Sequence, residues 1–180
     1  MSHKLKVIFV IIVIIYSLFF VWRLFTSRPD QTLSKTDNIT NSENLDGIYK
    51  NSQYGFSFQK PNGYNIGEFD QENGKIILVQ MSKAAFDTTS FQILITPFDE
   101  PEAIITKARI NKEIPGLKVE NAKEILVGAG KGLQFESDNP VFGGKSAEIW
   151  FVHNSNLYQL SGYKEAMPVM EQVIASWTFQ

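Results

Sequence analysis

Several short patterns in this 180-residue chain have the residue types that chemistry needs. Gly128-Ala129-Gly130-Lys131-Gly132 combines glycines with a lysine, as phosphate-binding loops do. A P-loop also needs a glycine five residues before its Gly-Lys and a hydroxyl residue after it to hold magnesium. Those places hold Ile125 and Gly132, and no strand–turn–helix unit surrounds the run, so the dinucleotide fingerprint fails as well. The stretch is read as a hairpin turn. Asp99, Glu100 and Glu102 could supply oxygen to calcium, but they lack the alternating ligands around a glycine that a calcium loop uses. A helix N-terminus accounts for all three carboxylates. The two histidines, His3 and His153, lie too far apart in the chain to share a metal or a triad, and His153 is expected on a solvent-facing turn. No serine sits in Gly-x-Ser-x-Gly, and there is no cysteine. No catalytic, cofactor-binding or metal residue is assigned, no cofactor is expected, and the chain is read as not an enzyme.

The elements that would position these residues begin with Tyr54-Gly55-Phe56-Ser57-Phe58, a strand with aromatics on one face that stops at Pro61-Asn62-Gly63. Strands are also expected over 75–81 and 91–98, the second with Phe91, Ile93 and Ile95 on one face. Asp99 then reads as the cap of a helix running to about Ile114, with Pro101 in its first turn and Glu102 closing a capping box. Two strands around 122–127 and 132–136 flank the glycine turn, and 146–153 with 157–163 form a hairpin closed at Asn154-Ser155-Asn156. After Pro168 a last helix places Val169, Met170, Val173, Ile174 and Trp177 on one face. The other aromatics (Tyr64, Phe69, Trp150, Phe151, Tyr158 and Tyr163) fall in or near strands and read mostly as core, with Trp150 and Phe151 facing opposite sides of the sheet. The fold class is α+β: an α/β/α sandwich around a mostly antiparallel sheet of about six strands, plus an N-terminal transmembrane helix.

That transmembrane helix rests on Val7 to Trp22, 16 uncharged residues of which 14 are Val, Ile, Leu, Phe or Trp. As a helix they rise about 24 Å, and extension through Phe25 reaches about 28 Å, close to a hydrocarbon core of roughly 30 Å. A cleaved signal peptide would need small residues just after the apolar stretch. Here that place reads Phe20-Val21-Trp22-Arg23-Leu24-Phe25, and the missing cysteine excludes lipoprotein processing. A buried core helix is disfavoured because the segment has no polar face. The division is therefore a tail over 1–6, a signal anchor over 7–25, a polar linker over 26–46 and a folded domain over 47–180. A short tail before the span and a large domain after it give a single-pass protein with the domain outside the cytoplasm. The domain holds 12 basic and 15 acidic residues, a net charge of −3 that argues against nucleic acid.

Tyr49-Lys50-Asn51-x-x-Tyr54-Gly55-Phe56-Ser57-Phe58-x-x-Pro61 resembles the opening strand and turn of PsbP-type domains. Leu157-Tyr158-Gln159-Leu160-Ser161-Gly162, followed by a helix with Val173-Ile174-Ala175-Ser176-Trp177-Thr178-Phe179, is similar to that family's last strand, helix and end. The resemblance covers residues 48–180 and implies an α/β/α sandwich around an antiparallel sheet. It also implies a role without catalysis. Plant and cyanobacterial members are extrinsic subunits on the lumenal side of photosystem II that support calcium and chloride retention. The wider superfamily includes bacterial envelope proteins and a nuclear-import factor that binds a small GTPase. Two departures stand out: there is no cysteine to carry lipid, and an apolar segment replaces a cleaved transit peptide.

The functional expectation is a membrane-anchored, non-enzymatic interaction module that holds a PsbP-like domain outside the cytoplasm and binds a protein partner. The alternatives are a small-molecule or lipid-binding domain at the bilayer surface and a photosystem II extrinsic-subunit-like role. An envelope hydrolase built around His153 is the least favoured reading.

Overall fold

The computed structural model describes residues 47–82, 87–100 and 104–180, all within the compact unit Asn41–Gln180. The expected tail, membrane span and linker lie outside the described residues. Among the described residues no helix is long and apolar enough to cross a membrane.

Among the described residues ten strands form two antiparallel sheets. The larger has seven strands in the order β3-β4-β5-β9-β8-β7-β6, with β3 Tyr64–Gln71, β4 Gly74–Met81, β5 Phe91–Pro97, β6 Val119–Val127, β7 Gly130–Ser137, β8 Ser146–His153 and β9 Asn156–Tyr163. The smaller joins β1 Ile48–Asn51, β2 Phe56–Gln59 and the two-residue β10 Thr178–Phe179 in the order β1-β2-β10. The expected antiparallel α+β architecture is present. The count of about six strands was too low, since the principal sheet alone has seven.

Two hairpins follow directly from their turn residues. His153 pairs with Asn156 across Asn154 and Ser155, which take φ of 45° and 56°. Two successive positive φ values make the tight turn that matches strand twist. Val127 pairs with Gly130 across Gly128 (φ 57°) and Ala129, so the glycine-rich run is a turn. Gly74 has a stricter reason to be glycine. It starts β4 at φ 154°, where a Cβ would lie 2.0 Å from the Ile95 carbonyl oxygen of the next strand.

Among the described residues two short α-helices accompany the sheets. Helix α1, Lys107–Glu113, is capped by Thr106, whose hydroxyl accepts from the Arg109 amide at 3.1 Å. The expectation of a helix running from Asp99 to Ile114 is corrected here: Asp99 lies in the connection ahead of Thr106 (Pro101 and Glu102 lie outside the described residues). The acidic residue nearby has another partner, because Glu100 pairs with Arg109 and with Lys112 at 2.8 Å. Helix α2, Met167–Ala175, carries Met170, Val173 and Ile174 inward as expected, but it stops at Ser176, and Trp177 lies beyond it. The Ser176 hydroxyl donates to the Val173 carbonyl at 3.0 Å, which helps turn the chain out of the helix toward β10.

The principal sheet is covered on both sides. One core holds Ile77, Val79, Phe91, Ile93, Ile95, Ile149, Phe151, Tyr158 and Leu160 against α2 and the small sheet. The other holds Phe135, Trp150 and Leu157 against Ile110 of α1, with Phe98 and Leu117. Trp150 and Phe151 thus face opposite sides, as the strand alternation requires.

Candidate interaction site

Positioning of the site begins with Trp177. Its ring is 2% exposed and stacks on Phe56 with centroids 4.3 Å apart and planes 13° from parallel. Phe58 stacks at 5.3 Å, and Phe151 meets the indole edge-on at 5.4 Å. Such offset and edge-on contacts suit the ring quadrupoles. Anchored in this way, the chain leaves α2 and runs on as β10 across the end of the principal sheet.

There Phe179 lies flat on His153, with centroids 3.5 Å apart and planes at 16°. His153 is half-buried rather than solvent-facing, which corrects the expectation for it. Burial lowers its pKa below the ordinary imidazole value, so the ring is neutral at neutral pH. The β6–β7 turn closes the site from the other side. A Cβ on Gly128 would come within 3.3 Å of the Phe179 ring, so a glycine there allows the close approach. Gly128, Ala129, Gly130, His153, Trp177, Thr178 and Phe179 line an open cleft of about 430 Å³. On the same hairpin Leu126 is 72% exposed, on the face opposite Val127.

Other polar clusters are buried at least in part. Glu148 is 1% exposed and, among the described residues, forms no salt bridge. One carboxylate oxygen accepts from the Ser146 hydroxyl at 2.7 Å, while the other accepts from Ser161 and from the Trp150 indole N–H at 3.2 Å. Burial pushes its pKa up, against the pull of these donors. Lys75 is buried under Glu68 at 2.9 Å and Asp70 at 3.0 Å. Burial opposes its charge, but the two carboxylates outweigh that and raise its pKa. The Tyr49 hydroxyl donates to the other Glu68 oxygen at 2.8 Å, and burial raises its pKa strongly. Arg109 lies over the Phe98 ring at 4.7 Å and pairs with Glu100 and Glu113. Among the described residues no group of acidic or histidine side chains has the arrangement of a metal site.

Of the candidate site residues weighed in the sequence, the structure brings Gly128–Gly130 and His153 together at one cleft; His3 and Glu102 lie outside the described residues. Lys131 points elsewhere, paired with Glu124 at 2.9 Å. Phe179 was missed, because nothing local signals that a residue 26 positions away will cover His153.

No protein-family model matches the sequence, and no curated protein matches it. Among solved structures, the chain is similar to cyanobacterial PsbP (CyanoP) from Synechocystis sp. PCC 6803, with a TM-score of 0.47 and 10% identity over 82% of this chain and 99% of that one. A protein from Bacteroides thetaiotaomicron VPI-5482 is similar with a TM-score of 0.46 and 13% identity, over 74% of this chain and 48% of that one. The resemblance drawn from Tyr49–Pro61 and Leu157–Phe179 is to the same kind of domain as the first of these.

Proposed function

We propose that this chain is a membrane-tethered, non-enzymatic interaction module whose domain binds a protein partner outside the cytoplasm. The observation that carries the reading is the open cleft walled by β10 and the β6–β7 turn and floored by the His153–Phe179 stack. A partly exposed aromatic such as Phe179, at an open and uncharged surface, is the kind of anchor that interfaces use. Tethering rests on the apolar run Val7–Trp22 and the polar stretch after it.

The small-molecule alternative is weaker. The aromatics that would line an enclosed chamber are packed on one another: Phe56, Phe58, Phe151, Tyr158 and Trp177 are all buried within one core. What remains is a surface cleft, a shape suited to a protruding piece of another protein.

The test compares co-purification from detergent-solubilised native membranes using the full chain and its Ala129→Glu variant. Ala129 is exposed on the cleft wall, so the substitution puts bulk and charge where the partner must sit. A partner recovered by the wild type and reduced about tenfold in the variant fits the proposal, since about 1.4 kcal/mol of lost contact suffices for that change. Recovery of the chain alone, or equal recovery by both forms, would count against it.

A further inference from the structure

We infer that Glu148 is a proton-operated anchor for the β7–β8 loop, residues 138–145: its ionised carboxylate holds the loop through Asn139, and a proton taken up from water loosens that hold. The device sits near the start of β8, whereas the cleft is at the strand's other end, at His153.

The carboxyl is surrounded by donors. Oε1 accepts from the Ser146 hydroxyl at 2.7 Å and lies 3.4 Å from both the Asn139 side-chain nitrogen and the Ser137 hydroxyl. Oε2 accepts from Ser161 and from the Trp150 indole. An ionised carboxylate only accepts, so this set fits the anion; a protonated carboxyl must donate from one oxygen. Around Oε1 the acceptors are hydroxyls. A proton on Oε1 points to Ser146 Oγ, and Ser146 then donates to Ser137 Oγ, 2.6 Å away, so the hydroxyl chain reverses. The Asn139 amide is left with a neutral acceptor. Asn139 in turn organises the loop: its side-chain oxygen accepts from the Val141 amide, and its backbone carbonyl accepts from the Phe142 and Gly144 amides, each at 3.1 Å.

The titratable groups on the surrounding elements are engaged with other partners. Tyr163 of β9 stands opposite Ser146 and packs edge-on against Phe142 of the loop at 5.5 Å. Asp138 accepts from the Lys118 amide at 2.9 Å. Lys145 acts on Glu136, which is paired with Lys164 at 2.9 Å. On α1, Arg109 pairs with Glu100 and Glu113, and Lys112 pairs with Glu100. The charge of Glu148 is thus met by neutral hydrogen-bond donors. Burial pushes its pKa up, while the Asn139 amide is among the donors that pull it down. Such coupling is reciprocal: a contact that favours the ionised form is itself strengthened by ionisation. Burial makes the ionised form the costlier one for the domain as a whole, yet of the two forms it is the one that grips the loop. Hydrogen bonds to charged groups exceed neutral ones by enough to shift the loop's opening about tenfold.

The test uses the full chain in detergent micelles, labelled with carbon-13 and nitrogen-15. The Glu148 carboxyl resonance, assigned through its own backbone amide, is followed from about pH 4 to about pH 10. Amide exchange at Phe142 and Gly144 is followed over the same range and corrected for its intrinsic pH dependence. Protection of both amides is expected to rise about tenfold as the carboxyl ionises, with the same midpoint, and to show no step in Glu148→Gln. Asn139→Ala is expected to move the midpoint of the carboxyl titration upward. A carboxyl that stays in one state, or protection that is flat or falls as it ionises, overturns the inference in the wild type alone. An equal step in Glu148→Gln, or an unmoved midpoint in Asn139→Ala, also overturns it.

Discussion

Replacing Trp177 by alanine removes the side chain that ties α2, the small sheet and the principal sheet together. Nearly all of the indole is buried, and it makes close ring contacts with Phe56, Phe58 and Phe151. About 200 Å² taken from water at about 25 cal/mol per Å² gives about 5 kcal/mol. One correction has the opposite sign. The indole N–H is buried without a hydrogen-bond partner, and removing it relieves about 1 kcal/mol. The net expected loss is about 4 kcal/mol, inside the range of about 3–5 kcal/mol for large aromatic truncations in cores. With a urea dependence of about 2 kcal/mol per molar, the unfolding midpoint of residues 47–180 should fall by about 2 M, read by far-ultraviolet circular dichroism. Trp177→Phe makes the same argument from the other side. It keeps the stack and removes the orphaned N–H, so its cost should stay below about 1.5 kcal/mol. A loss under about 1 kcal/mol for the alanine variant, or equal losses for both, would refute the packing described here.

Residues 47–180 contain both cores, so deletion of 1–46 should leave a soluble domain with a single cooperative urea transition; aggregation would place the domain boundary elsewhere. Gly74→Ala should destabilise by about 2 kcal/mol or more, because the new methyl meets the Ile95 carbonyl and one of the two strands must shift; a neutral result in the same assay would contradict the β4–β5 register. Glu148 has a raised carboxyl pKa, so the folded state holds its proton more tightly than the unfolded chain does. Its favourable contribution is therefore complete below the ordinary carboxylate range and is lost as pH rises through the higher folded value. Glu148→Gln should flatten that part of the stability profile, measured as urea midpoints across pH 4 to 8, and an unchanged slope would mean that Glu148 does not titrate there.

Much of the fold was legible because periodicity and turn chemistry agreed. Alternating Phe91, Ile93 and Ile95, the Asn154-Ser155 turn and the inward face of Met170, Val173 and Ile174 all stand where the sequence places them. What escaped was decided by partners distant in sequence. Strand β3 has one buried residue in eight, because it is an edge strand held by β4 alone, so it has no hydrophobic pattern to read. The Asp99-Pro101-Glu102 signal was locally sound, but Thr106 holds the helix cap and Glu100 pairs with Arg109 and Lys112. Nothing in the sequence singles out Glu148; register alone sets it opposite Ser161, with Ser137 opposite Ser146 beside it. The cleft was hidden for the same reason. It exists only once β10 has crossed the sheet end and laid Phe179 on His153.

The most direct test of a partner at this end of the domain is photo-cross-linking in native membranes. A benzoylphenylalanine is placed at Ala129, which follows the end of β6, or at Lys118, which is exposed just before its start. A discrete adduct is expected from Ala129 and none from Lys118. No adduct from Ala129, or the same adduct from both positions, would contradict a partner at this end of the domain.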